Sequence, residues 1–290
     1  MQHFYYSILN GKDSAVTHHL STATKEIRLN QKNSLTNSQL DTTQYTVNGI
    51  LRYEKVFGHN FVSTGGIKTT QELFAEIDLT PGAKVLDIGS GLGGSAFFIE
   101  NNYAAQVTGI DLSNNMIKLS KQRASDRNSK VQFILGDCTK MEFEPESFHL
   151  IYSRDSFLHI KDKVALFKKI KSWLKPSGET LITDYCCGSS NWPNEFSDYI
   201  KERNYTLHDI QTYKHLLEQA GLKIIQGYDN TKRFVIASET ELKHLISIKE
   251  EFLQNFTQHD YEDLIQGWEK KIARSQQGSQ KWGYFYAKKN

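Results

Sequence analysis

The segment Val85-Leu86-Asp87-Ile88-Gly89-Ser90-Gly91-Leu92-Gly93-Gly94 constrains the fold of this chain more than any other. A short apolar run ends in clustered glycines and passes into a helical pattern. That order, strand then loop then helix, opens an α/β sheet and places a ligand site at the carboxyl end of the strand. Glycine lets the backbone turn without Cβ strain and lets a ligand approach the main chain. Gly89, Gly91 and Gly94 also satisfy G-x-G-x-x-G, so the loop alone fits a dinucleotide as well as S-adenosylmethionine. Asp111, which closes the next apolar run, does not decide between them, because both ligands present a ribose diol there.

Beyond Lys84 the pattern alternates. Strands are predicted over 84–89, 106–111, 131–137, 148–155 and 179–185, with helices between them, for example over 114–124 and 161–174. Short apolar runs bounded by Gly, Asp or Ser read as buried parallel strands, and the alternation predicts right-handed crossovers with helices on both faces of the sheet. After Tyr185 the alternation breaks into a helical insertion over 191–203, a helix over 209–219, a strand over 222–229, an amphipathic helix over 239–256 and a closing aromatic strand over 282–289. Upstream, helices are predicted over 47–57, ending at Gly58, and over 69–77. Residues 1–43, rich in Ser, Thr, Asn and Gln, are expected to form a flexible extension, and 44–290 a single domain.

Charge narrows the partners. The chain has 35 Lys and Arg against 33 Asp and Glu, a net charge of +2, with no basic run, which disfavours a nucleic-acid substrate. No apolar run approaches the roughly 18 residues of a membrane span, and the first residues lack the pattern of a secretory signal. Three cysteines, two of them adjacent, fit neither a disulfide framework nor a metal site, so reduced thiols in a cytoplasmic protein are expected.

Four features resemble the Rossmann-like class I methyltransferases: Asp87 ahead of the first glycine, Gly136-Asp137 after the third run, WLKPSGETLI (173–182) leading into the fifth strand, and the aromatic closing strand. The resemblance implies a mostly parallel seven-stranded sheet with helices on both faces, an N-terminal helical lid and a helical insertion. It also implies S-adenosylmethionine as cofactor, released as S-adenosylhomocysteine, with no metal. Further strings are more specific: QYT (44–46), FVSTGG (61–66), YSRDSFLH (152–159), ITDYC (182–186), ERNYTL (202–207), GW…KI (267–272) and KWGYF (281–285) resemble the phosphoethanolamine N-methyltransferases, particularly the short single-domain kind.

Position by position, that resemblance implies that Gln44, Tyr45, Asp155 and His159 surround an amine, the last three as catalytic groups. It implies that Tyr53, Tyr185, Arg203, Tyr205 and Lys271 hold a phosphate. Val62, Ser63, Asp87, Gly89, Gly91, Asp111, Leu112, Asp137, Cys138 and Arg154 would contact the cofactor. The implied activity is successive methylation of phosphoethanolamine to phosphocholine, for phosphatidylcholine synthesis, by a monomer. The residue types suit it: an ammonium with a pKa near about 10 must lose a proton before it can act as nucleophile, and His159 can accept one. Two cations and three phenols suit a phosphate. Singly, these side chains would pass for packing aromatics, surface charges and a structural histidine. The alternatives are a methyltransferase of another small amine, or a non-catalytic binding protein of the same fold.

Overall fold

The computed structural model describes residues 41–42, 45–188 and 192–290. Most of the predicted extension, and Gln44, lie outside the described residues. In chain order the elements are α1 (Val47–Phe57), α2 (Gly66–Leu73), β1 (Lys84–Ile88), α3 (Gly94–Tyr103), β2 (Gln106–Asp111), α4 (Asn114–Asp126), β3 (Gln132–Leu135) and β4 (Phe148–Arg154). A 3₁₀ turn (Phe157–His159) leads to α5 (Lys163–Trp173), β5 (Leu174–Cys187), α6 (Asn194–Arg203), α7 (Ile210–Gln219), β6 (Leu222–Asp229), α8 (Thr231–Ser247), α9 (Lys249–Leu253), α10 (Gln258–Gln276) and β7 (Gln280–Lys289).

The strands form one seven-stranded sheet in the order β3-β2-β1-β4-β5-β7-β6. β7 is antiparallel to both its neighbours, and the other pairings are parallel. Period-two alternation sends successive side chains to opposite faces. Leu86, Ile151 and Phe285 pack under α5 and α7 with Phe167, Ile170, Tyr213 and Leu217. Val85, Leu150, Tyr152 and Tyr284 pack on the other face with Phe74, Phe97, Ile117 and Phe133. A third cluster of Val56, Leu245, Phe252, Tyr261, Leu264 and Trp268 joins α1 to α8, α9 and α10 as a helical cap. No described helix is long and apolar enough to cross a membrane.

Helix starts follow local chemistry. Ser113, Asp162 and Asp209 accept from the free N–H groups of α4, α5 and α7, and Thr257 with Asp260 forms a capping box on α10. Asp41 adds to the start of α4, its carboxylate accepting from Ser113 Oγ at 2.5 Å and Asn114 N at 3.0 Å.

Three expectations need correction. The helix expected over 69–77 begins at Gly66, because Gly65 takes a left-handed conformation that starts it early. The helix expected over 239–256 begins at Thr231 and breaks at Ile248. The helix Gln258–Gln276 was not expected, because its buried face includes Lys271, Arg274 and Ser275 beside Tyr261, Leu264 and Trp268, which masks the apolar period.

Phe285 is fully buried and stacks on Tyr213 with centroids 4.2 Å apart and planes 8° from parallel. Phe285→Ala should cost about 3–5 kcal/mol, measured by urea unfolding; a loss below about 1 kcal/mol would contradict this placement of the core.

Candidate active site

The sheet reverses its order beside β1, which pairs with β2 on one side and β4 on the other. Open α/β sheets bind ligands in the crevice at such a point. A cleft of about 880 Å³ lies there, lined by Tyr45, Val62, Ser63, Asp87, Gly89, Gly91, Asp111, Leu112, Asp137, Cys138, Arg154, Asp155 and His159 among others. These predicted residues therefore converge although they come from loops more than a hundred residues apart in sequence.

The glycine loop is forced by its neighbours. Gly89 has φ +77°, and a Cβ there would lie 2.3 Å from Ser156 Oγ. At Gly94 a Cβ would meet Asn60 O at 2.6 Å and the Phe61 ring at 2.7 Å. Asp111 fastens the loop: one carboxylate oxygen accepts from Gly91 N at 2.9 Å and the other from Ser113 N at 2.9 Å.

Beneath the loop, Asp87 is buried, and its Oδ2 has no hydrogen-bond partner among the described residues. Burial and then the Asp111 charge lift its carboxyl to about 7, against the pull of Arg154. Such a group gains from a cation or a donor brought into the cleft. Arg154 is engaged with the 63–70 segment, donating to Thr70 Oγ1 at 2.8 Å, Gly66 O at 3.1 Å and Thr64 O.

At the other end of the cleft Tyr45 Oη lies 3.3 Å from His159 Nε2. Asn115 Nδ2 donates to Tyr45 O at 2.8 Å, which fixes the tyrosine's backbone over the cleft. Burial first, then Asp111, holds the Tyr45 hydroxyl well above its ordinary range, so it stays a donor. His159 is pushed down to about 4 by burial, then by Lys163 and Arg203, so it is neutral and can accept. Asp155 follows β4 with φ +51°. Asp155 lines the cleft; its Oδ1 accepts from Trp282 Nε1 at 2.7 Å, while Oδ2 is buried with no partner among the described residues. Burial raises its carboxyl as well.

None of the five residues expected to hold a phosphate is among those lining the cleft; they form two groups, one of which touches His159. The Tyr205 ring meets His159 at 5.1 Å and Tyr185 at 6.5 Å, edge-on in both cases. Arg203 reaches the neighbouring Tyr199 ring at 5.9 Å, and no carboxylate lies within 4 Å of its guanidinium among the described residues. Tyr53 packs on Trp268 at 5.9 Å, and Lys271 lies over Trp268 at 4.2 Å. Lys271 is not an orphan: Glu241 Oε2 accepts from it at 3.3 Å and from Trp268 Nε1 at 2.8 Å. Its burial therefore does not by itself require a phosphate, and the electrostatic case for an anion rests on Arg203. Glu241, Trp282 and Tyr199 join these groups, and no motif in the sequence assigns them a role in the site. Tyr199 and the Arg274 guanidinium, 3.8 Å from its ring, extend the tyrosine cluster.

Comparison with known proteins places the chain in a family. Residues 79–289 match the family model described as a methyltransferase domain, so the fold and cleft define a methyltransferase. The chain is 48% identical over 251 residues to phosphoethanolamine N-methyltransferase 3 of Arabidopsis thaliana, covering 87% of this chain and 51% of that one. It is 41% identical over 254 residues to the phosphoethanolamine N-methyltransferase of Plasmodium falciparum, covering 87% of this chain and 95% of the relative. The solved structure of Haemonchus contortus phosphoethanolamine N-methyltransferase 2, in complex with phosphomonomethylethanolamine and S-adenosylhomocysteine, superposes with a TM-score of 0.84 at 35% identity, over 86% of this chain and 59% of that one. The chain belongs to the phosphoethanolamine N-methyltransferase family. It spans about half the length of the plant relatives and nearly all of the Plasmodium one.

A histidine whose folded pKa lies below its unfolded value of about 6.5 adds stability above that pH and loses it as the pH falls toward the folded pKa. His159 should therefore stay neutral in the free protein until the pH falls well below 6.5, with a midpoint of about 4. Its Hε1 chemical shift, assigned by comparison with His159→Asn, reads this directly; a midpoint near the unfolded value would contradict the buried, cation-flanked setting.

Proposed function

We propose that this protein transfers methyl groups from S-adenosylmethionine to the amine of phosphoethanolamine, then to its mono- and dimethyl forms, giving phosphocholine for phosphatidylcholine synthesis. The observation that carries the reading is the placement of the Tyr45–His159 pair, 3.3 Å apart, one ring contact from the Tyr205–Arg203 loop. Groups that handle a proton and a cation without a carboxylate partner thus stand at neighbouring positions, as an amine and a phosphate on one small molecule require. The names of the relatives, and the phosphobase in the Haemonchus complex, support the same acceptor.

S-adenosylmethionine supplies an electrophilic methyl group on a sulfonium. The cleft fits it: Asp87, with an unsatisfied carboxylate oxygen, would hold its ammonium, Asp111 would hold its ribose, and the glycine loop leaves room for close approach. The chain's own residues handle the acceptor. Its amine proton passes to Tyr45 Oη while the tyrosine's own proton passes to His159 Nε2, which frees the nitrogen lone pair for in-line attack. Asp155 Oδ2 orients the cationic nitrogen by a charge-assisted bond. Burial is the main reason His159 is a weak base in the free protein, and Lys163 and Arg203 add to it. A phosphate set against Arg203 offsets that last contribution, so acceptor binding strengthens the base. Each round consumes one N–H proton, and the quaternary product has none left, which ends the sequence at three methyl groups.

Residues 44–290 form the catalytic unit in this reading, acting as a monomer in the cytoplasm; every group invoked comes from one chain. Arg203→Ala should raise KM for phosphoethanolamine about 10–100-fold with a smaller change in kcat. Tyr45→Phe and His159→Ala should lower kcat about 100-fold or more, with S-adenosylhomocysteine affinity held within about threefold, read by calorimetry. Unchanged KM in Arg203→Ala would point to an acceptor without phosphate. Cofactor affinity that collapses together with kcat would make Tyr45 and His159 structural.

A further inference from the structure

The 157–159 turn and the 203–206 loop are more than forty residues apart, yet one buried cation ties them. Lys163 Nζ donates to Ile160 O at 2.9 Å and to Thr206 O at 2.7 Å. Thr206 N donates to Leu158 O at 2.7 Å, closing the link from the other side. Below, Leu158 N donates to Asp184 Oδ1 at 3.0 Å, and Asp184 Oδ2 accepts from Tyr213 Oη at 3.1 Å. Ile160 directly follows His159, and Thr206 directly follows Tyr205.

The placement of Lys163 runs against local preference. It is the first residue of α5, behind the cap Asp162, where the helix macrodipole is positive and acids are favoured. It is also only 2% exposed, and no carboxylate lies within 4 Å of its ammonium among the described residues. A buried cation in a helix's first turn is costly unless its donors are well used. Here two of them hold backbone carbonyls from the two segments that flank the acceptor.

We infer that Lys163 is a positioning residue that sets the separation between the Tyr45–His159 end and the Arg203–Tyr205 end of the site, and so selects acceptors with a two-carbon spacer. This rests on the proposed function, because only a substrate with an amine at one end and a phosphate at the other would sense that separation. Reacting atoms tolerate little misplacement, so loosening the tie costs rate for the fitting substrate more than for one that already fits poorly.

The test compares kcat/KM for phosphoethanolamine and for 3-aminopropyl phosphate in the wild type, Lys163→Met and Lys163→Arg, with S-adenosylhomocysteine binding and thermal melting alongside. The wild type should prefer the two-carbon acceptor. In Lys163→Met that preference ratio should fall at least about tenfold, mainly through kcat for phosphoethanolamine, with cofactor affinity retained. General destabilisation would lower both rates together and leave the ratio alone. A folded Lys163→Met with the wild-type ratio overturns the inference. If Lys163→Met does not fold, Lys163→Arg decides: its bulkier head should still lower the ratio, and an unchanged ratio there overturns the inference equally. A wild type that methylates neither phosphobase would overturn the underlying function, and with it this role for Lys163.

Discussion

Parallel strands cannot be joined by tight turns, so each crossover carries the chain along one face of the sheet, and the direction of winding changes on either side of β1. That change leaves the carboxyl ends of β1 and β4 uncovered between diverging loops. The glycine loop follows one of these strands and Asp155 the other, while Asp111 and Asp137 stand at the ends of the strands beyond. The helical cap of α1, α8, α9 and α10 packs through Trp268 and carries Lys271 to the side of this opening. The position of nearly every group in the site is thus inherited from the topology.

Within the cleft, charge is distributed unevenly. Asp87 and Asp155 each keep a buried carboxylate oxygen without a partner among the described residues, and both carboxyls are held above their ordinary range by burial. Arg154 lines the cleft and pulls on both carboxyls, while Lys271 and Arg203 are not among the lining residues. Lys271 is balanced by Glu241, whose other oxygen accepts from Gly65 N in the loop that carries Val62 and Ser63. Arg203 lacks such a partner among the described residues. A ligand pair that brings positive charge to the carboxylates and negative charge to Arg203 satisfies both sides at once, and a sulfonium cofactor with a phosphobase has that distribution.

The sheet was legible in the sequence because its strands are short apolar runs, and the glycine loop because it combines a tight turn with close packing. Tyr45, Asp155 and His159 were legible through family strings, and the structure brings all three to the cleft. What stayed hidden depended on register or on polar burial. Trp282 reaches Asp155 only because β7 pairs Trp282 with Tyr185, a register that no local pattern encodes. Glu241 and Lys271 lie on helices whose buried faces are partly polar, so neither α10 nor the pairing of Lys271 with Glu241 is legible, although Lys271 itself is. Lys271 stands in the sequence as a free cation, and only the fold brings Glu241 to it.

The central claim is that the cleft methylates an amine only when a phosphate accompanies it. Purified protein incubated with methyl-labelled S-adenosylmethionine and, separately, phosphoethanolamine, its monomethyl form, its dimethyl form and free ethanolamine tests this, with products identified by mass. The account predicts label in all three phosphobases, phosphocholine as the end product, and no transfer to ethanolamine. Transfer to ethanolamine at the phosphobase rate, or no transfer to any phosphobase while the cofactor binds, would contradict it.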